Sequence, residues 1–149
     1  MEEVTVVPRD KRFYLYYVLW GIALTLMLYV IFVIVDQLFH MHLAGLLLNL
    51  DFLLDPAHTP FVVELFCHLC ITLVILAASL WVDRRRGWNF KLWLGILAVF
   101  FIVLYPLMIG LSQREIFRYH FGAHVLWIVG HFIFLGLMAG VVKHSRRFD

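Results

Sequence analysis

The chain has 149 residues, of which 64% are hydrophobic and 15% are charged, and its mean hydropathy is +0.92. Soluble domains are closer to half apolar and a quarter charged, so this composition excludes an ordinary soluble domain and indicates a membrane protein. The formal net charge of +2 is too small to indicate a nucleic-acid-binding protein, and two cysteines three residues apart cannot form a disulfide framework.

Four apolar stretches are long enough to cross a bilayer. The predicted spans cover residues 14–35, 61–82, 92–111 and 121–142. Each is close to the roughly 20 residues that a helix needs to cross ~30 Å of hydrocarbon. Backbone amides in lipid must bond to one another, so each span is predicted to be a helix. The expected fold is therefore all-α, a single domain of residues 1–149 that forms a four-helix transmembrane bundle.

The first loop is unusually apolar. Residues 42–55, HLAGLLLNLDFLLD, are too apolar for a solvated loop and too short to cross the membrane. One interpretation is an interfacial helix that lies on the outer leaflet or folds back over the bundle. The other is a re-entrant segment that packs against the transmembrane helices. In either case Asp55-Pro56 ends the segment, and a turn leads into the second span.

Lys and Arg are distributed unevenly between the loops, and this predicts the orientation. Ten of the twelve lie before the first span, between the second and third spans, or after the fourth span. Only Arg114 and Arg118 lie elsewhere, between the third and fourth spans. Cytoplasmic loops carry the excess of positive charge. Both termini are therefore expected in the cytoplasm, and residues 36–60 and the Arg114 loop are expected on the outer side.

Small residues and a proline in the last two spans predict how the helices pack. Pro106 should kink the third helix and leave the carbonyl near Ile102 free. Gly136 and Gly140 form a small-xxx-small pair, which lets helix backbones approach closely. A bundle of this size leaves little room for a transport pathway of its own. Besides the lipid bilayer, the expected partners are therefore a second copy, as a homo-oligomer, or a larger membrane complex.

Ionisable residues in the second and fourth spans are the candidate functional residues. At 100° per residue, Glu64, Cys67 and His68 share one face of the second helix. In the fourth helix a second stripe contains His120, His124 and His131. Ionisable groups in a membrane helix normally face the bundle interior or a water-filled cavity.

The depth of these side chains predicts a cluster in the outer half of the bundle. With a rise of 1.5 Å per residue, His68 lies ~10 Å below the outer boundary, His124 ~6 Å and His131 ~16 Å. Either His124 or His131 could thus be the closer partner of His68. An unpaired carboxylate in hydrocarbon would be driven to protonate, so Glu64 is expected to have a basic or metal partner, with these histidines as candidates.

Four kinds of chemistry fit these residue types. Glu and His pairs on facing helices, with the soft ligand Cys67, could bind zinc or copper. A haem b would need two histidines at matching depth, which His68 offers with His124 or His131. The Cys67-x-x-Cys70 spacing is similar to that of quinone-linked thiol oxidases of the disulfide-bond-formation B type, although that family's second cysteine pair is missing. Side chains that only hydrogen-bond between helices are the fourth interpretation.

Short motifs in the second half of the chain resemble a known family. Residues 91–112 begin with Lys-Leu-Trp-x-Gly and contain a Pro-x-Met turn, and residues 121–129 read FGAHVLWIV. Over roughly residues 61–147 the chain resembles the YagU-like inner-membrane proteins of bacteria. Ala123 is one extra residue, so His124 is carried over with that shift, and His68 corresponds to a His of the preceding helix. The resemblance implies a protein of the bacterial cytoplasmic membrane, associated with acid tolerance and without a known cofactor.

The expected function follows from the cluster of Glu and His. No nucleophile with an adjacent base and no phosphate-binding loop is found, which argues against an enzyme. We expect a small non-catalytic membrane protein whose cluster binds a divalent metal or handles protons. Acid tolerance would suit proton handling, because His titrates between about pH 5 and 8. The alternatives are a haem- or quinone-linked redox protein, an accessory subunit of a larger complex, and a small oligomeric pore.

Overall fold

The computed structural model describes residues 11–85 and 89–148, which form helices and loops without a β-strand. Arg9 and Arg86, which contribute to the predicted charge asymmetry, lie outside the described residues. The helices are α1 (Lys11–Phe39), α2 (Leu43–Leu47), α3 (Phe61–Arg84), α4 (Phe90–Leu111) and α5 (Phe121–Ser145), followed by a 3₁₀ turn (Arg146–Phe148). The four predicted spans lie within the four long helices, each of which is long and apolar enough to cross a membrane. The predicted all-α four-helix fold is confirmed.

The long helices pack unequally against one another. α5 lies against both α1 and α4, and α1 also packs along α3, whereas α3 and α4 touch only sparsely. The outward faces of all four carry exposed Leu, Ile, Val and Phe side chains. In water such continuous apolar surface would drive association, but in a bilayer it is the surface that lipid covers.

One glycine allows α1 and α5 to approach closely. The ring of Phe32 stacks on Trp127 with centroids 5.3 Å apart and an interplanar angle of 10°. A Cβ on Gly130 would lie 2.5 Å from the Phe32 ring, so any larger residue would force that ring to move. Among the described residues, nothing lies within 4 Å of a Cβ placed on Gly136 or Gly140. The predicted close approach at those two glycines therefore has no partner within the described part of the chain.

The first loop folds back over the bundle. His40 and His42 adopt left-handed backbone conformations (φ 55° and 56°) that turn the chain after α1. The carboxylate of Asp36 then accepts hydrogen bonds from the backbone N–H groups of Leu43 (2.6 Å) and Ala44 (2.8 Å), which fixes the start of α2. Apart from Gly45, residues 43–51 are buried. The segment thus folds back over the bundle, as the first interpretation allowed, and is packed against the helices, as the second required.

The helix in this loop is shorter than the predicted range of residues 42–55. Asn49 Oδ1 accepts a hydrogen bond from the backbone N–H of Asp51 (3.1 Å). Asn and Asp side chains that bond to nearby backbone groups compete with helical hydrogen bonding. The helix accordingly ends at Leu47, and the buried segment continues in irregular form to Asp51.

Candidate functional site

A buried ion network joins three segments at the end of the bundle formed by residues 40–60 and 112–120. We call this the outer end, because the charge distribution predicts that it faces outward. Arg114, in the α4–α5 loop, donates from Nη2 to Glu64 Oε1 (2.7 Å), and its Nε lies 3.1 Å from Asp51 Oδ1. The side chains of Asp51 and Glu64 are only 1% and 11% exposed. Buried carboxylates of this kind need a partner, and Arg114 serves both.

Hydrogen bonds from two uncharged side chains complete the network around Asp51. The hydroxyl of Ser112 donates to Asp51 Oδ2 (2.9 Å), and Gln113 Nε2 donates to the backbone carbonyl of Asp51 (2.7 Å). The α4–α5 loop is thus bonded to the folded-back first loop, and through Arg114 to α3. The basic partner expected for Glu64 exists, but it is Arg114 and not a histidine.

A cavity of about 200 Å³ lies against this network. Glu64, His68 and Thr72, on successive turns of α3, form its polar wall, and Trp127 and His131 of α5 also line it. The buried part of the first loop, including Asn49, contributes to the lining as well. The remaining lining is apolar: Leu28, Leu47, Leu48, Leu50, Phe52, Ile71, Ile75, Phe100, Phe101, Leu104, Met108 and Phe134. An apolar pocket with a few convergent polar groups is the usual form of a small-molecule site.

Two polar atoms of the cavity lining have no hydrogen-bond partner among the described residues. They are Nε2 of His68 and Nδ2 of Asn49, and both are buried. An unsatisfied buried polar group costs about 1–3 kcal/mol, so native structures seldom keep two in one place without a use. The pair identifies the cavity as the candidate functional site.

The orientation of His131 is fixed by its own helix. Its Nδ1 lies 2.9 Å from the carbonyl of Trp127, so Nδ1 carries the proton and donates, which leaves the lone pair on Nε2. The indole N–H of Trp127 in turn donates to the carbonyl of Phe101 (3.0 Å). His131 and His68 both line the cavity. Of the two candidate partners of His68, His131 is the one that shares its cavity.

His124 faces α4 instead of the cavity. Its Nε2 donates to the carbonyl of Ile102 (2.9 Å), which is the carbonyl that Pro106 was predicted to leave free. The hydroxyl of Tyr119 is then placed to donate to Nδ1 (3.1 Å), and the imidazole stacks on Tyr105 with centroids 4.8 Å apart. Both ring nitrogens are therefore satisfied, and His124 has the role of a structural link between helices.

The other predicted ligands also lie apart from the cavity lining. His120 is the residue before α5, and its Nδ1 accepts a hydrogen bond from the backbone N–H of Ala123 (3.3 Å). Cys67 is half-buried and Cys70 exposed, both as free thiols. Within residues 11–85 and 89–148, no group of three or more His, Cys, Asp or Glu side chains could hold a metal ion. The geometry thus gives no support to the predicted metal site or to a single histidine cluster; it brings only Glu64, His68 and His131 together.

Several residues of the site were not predicted from the sequence. In the sequence, Arg114 is recognisable only as a charge, and Asp51 and Asn49 only as members of an apolar loop. A signal was present, however. A polar Asn and Asp in an otherwise apolar loop need a partner if that loop is buried, and Arg114 is one of only two Lys or Arg residues in the loops predicted to face outward.

No model of a protein family, no curated protein and no solved structure matches this chain. The resemblance to the YagU-like proteins therefore stays a prediction.

Proposed function

We propose that the protein is a small non-catalytic binding protein of the bacterial cytoplasmic membrane, with both termini in the cytoplasm. Its cavity at the outer end takes up a small molecule that carries a hydrogen-bond acceptor. The orientation is supported by the distribution of Lys and Arg: ten lie in the terminal segments and the second loop, and two lie in the third loop. The bacterial membrane is supported by the resemblance to the YagU-like family.

The observation that carries this proposal is the pair of unpartnered polar atoms, Asn49 Nδ2 and His68 Nε2, in the lining of an apolar cavity. An amide N–H₂ can only donate, so a ligand that satisfies Asn49 presents an oxygen or nitrogen lone pair. A site built to hydrogen-bond a polar group rejects a ligand of the same shape that lacks it, because the buried donor is then left unpaired.

The proposal can be tested with a small aromatic ketone. 4-Fluoroacetophenone offers one carbonyl on a ring, and its ¹⁹F resonance reports binding to detergent-solubilised protein. We expect a saturable shift that 4-fluoroethylbenzene, which lacks the carbonyl, does not reproduce. Thr72→Phe fills the cavity and should abolish saturation.

Val99→Phe is the matched control, because it adds the same ring on the exposed face of α4. It should bind 4-fluoroacetophenone as the wild type does. If wild type and both variants show the same linear, unsaturable response, the ketone only partitions into the micelle and the proposal is wrong.

Proton handling is the second candidate, and one arrangement favours it. His68, His131 and Glu64 line the same cavity, and Glu64 is paired with Arg114, which also pairs with Asp51. The ring of His131 lies 4.4 Å from that of Trp127. Protonation of His131 should therefore quench Trp127 emission as the pH falls, and His131→Phe should remove that response. A Trp127→Phe variant with the same pH response would assign the quenching to other tryptophans and contradict this candidate.

A further inference from the structure

The side of the bundle carries an apolar groove between α3 and α4, where these two helices touch only sparsely. The groove has a volume of about 510 Å³, and its exposed surface is entirely apolar. It is lined by Cys70, Ile71, Val74 and Ile75 of α3 and by Trp93, Ile96, Leu97 and Phe100 of α4. Both helices are membrane-spanning, so this groove opens towards the acyl chains of the bilayer.

The groove and the cavity share part of their walls. Ile71, Ile75 and Phe100 line both of them. Ile71 is 50% exposed and Phe100 is 47% exposed on the side of the bundle. Side chains at such a shared boundary can move aside by changing rotamer. A molecule dissolved in the lipid thus has a lateral way into the cavity.

The cavity lining restricts the chemistry of the part of the ligand that it would hold. The carboxylates of Asp51 and Glu64 outnumber the guanidinium of Arg114 at its outer end, which disfavours an anionic head. The two carboxylates are already paired with Arg114, and a cationic head could not accept from the free Asn49 Nδ2 in these apolar walls. Rings of Phe101 and Trp127 line the same space, and flat apolar surfaces of this kind suit a planar ring. The head that fits is neutral, planar and carries carbonyl oxygens.

We propose that the cavity and the groove together bind a lipid-soluble quinone. The quinone ring occupies the cavity, where a carbonyl oxygen accepts a hydrogen bond from Asn49 Nδ2, with His68 Nε2 as a second donor when that nitrogen carries the proton. The apolar tail leaves past Ile71 and Phe100 and lies in the groove. This inference rests on the proposed binding function and names the class of ligand and its route.

The two native cysteines provide a direct test, because Cys70 lines the groove and Cys67 does not. The single-thiol variants Cys67→Ala and Cys70→Ala are alkylated with lipid-soluble N-cyclohexylmaleimide in nanodiscs. The probe is decylubiquinone, whose fully substituted ring does not add thiols. When decylubiquinone is present at about ten times its dissociation constant, about a tenth of the protein molecules have an empty groove. The rate of Cys70 alkylation should therefore fall about tenfold. Alkylation of Cys67 should be unchanged.

The ring and the tail are tested separately. Asn49→Leu in the Cys67→Ala background removes the donor and should raise the half-protecting quinone concentration about five- to tenfold, the usual effect of one lost hydrogen bond. Dodecane supplies a tail without a ring and should protect weakly or not at all. Equal protection by dodecane, or protection that is indifferent to Asn49→Leu, would overturn the inference. If 4-fluoroacetophenone binds saturably while decylubiquinone leaves Cys70 unprotected, the proposed function stands and only the quinone and its lateral route are wrong.

Discussion

Replacement of Arg114 by Gln removes the cation that Asp51 and Glu64 share. Removing one partner of a buried ion pair costs about 3–5 kcal/mol, because the remaining charge is left uncompensated. Here two carboxylates lose their partner, but Arg114 is itself 28% exposed and Asp51 keeps the hydroxyl of Ser112 at 2.9 Å. We therefore expect a loss at the lower end of that range, about 3 kcal/mol in the free energy of unfolding.

Arg118→Gln is the matched control, because Arg118 lies exposed in the same loop. Surface substitutions of this kind stay within about 0.5 kcal/mol. Unfolding is followed in mixed micelles with increasing SDS by far-UV circular dichroism. Arg114→Gln combined with Glu64→Gln should cost less than the two changes added, with a coupling of about 1–3 kcal/mol.

The ion network would lose its assigned role under either of two results. One is equal stability of Arg114→Gln and Arg118→Gln. The other is stronger coupling of Glu64→Gln to His124→Ala than to Arg114→Gln, which would restore the histidine partner expected from the sequence.

Three further predictions concern two histidines and the membrane topology. His68→Phe removes a buried ring nitrogen that has no partner among the described residues, so the ligand-free protein should gain about 1 kcal/mol in stability. The same variant should bind 4-fluoroacetophenone more weakly. A loss of stability in SDS titration would show that His68 has a structural partner. His124→Phe keeps the stacking on Tyr105 but leaves the Ile102 carbonyl unpaired, so it should cost about 1–3 kcal/mol, and a much smaller effect would mean that lipid or another group satisfies that carbonyl. Reporter fusions after Gly87 and after Asp149 should read cytoplasmic and one after Asp55 external, and an external C-terminus would contradict the four-span orientation.

The four long helices could be predicted because the bilayer sets a length of about 20 apolar residues that only a helix can satisfy. The first and last residues of the helices were predicted less accurately. α1 covers Lys11–Phe39, beyond the predicted residues 14–35, because charged and polar side chains continue the helix into the interface, where hydropathy gives no signal. The free carbonyl of Ile102 was also predictable, because the loss of its partner follows directly from Pro106.

Which side chains come together in the site was harder to predict, because this depends on which neighbouring segment each helix face contacts. His124 and His131 are seven residues apart, so their directions differ by only about 20° on the helix. Nevertheless they meet different surroundings, since α5 packs against α1, α3 and α4, and the Ile102 carbonyl that Pro106 leaves free lies at the level of His124. The pairing of Arg114 with Asp51 depends on a loop that folds back into the bundle. Periodicity within one segment contains no information about such a contact.

The folded-back loop also imposes an order of assembly during biosynthesis. Asp51 is buried in the finished protein, but Ser112, which bonds to its carboxylate, follows 61 residues later in the chain. At about 5–20 residues per second, the ribosome needs about 3–12 s to make that stretch. During this interval α1 and α3 can enter the membrane, while Asp51 has to stay in contact with water or with the insertion machinery. With the predicted orientation, the outer end can close only after the α4–α5 loop has crossed the membrane, so the last helical hairpin to insert completes the cavity.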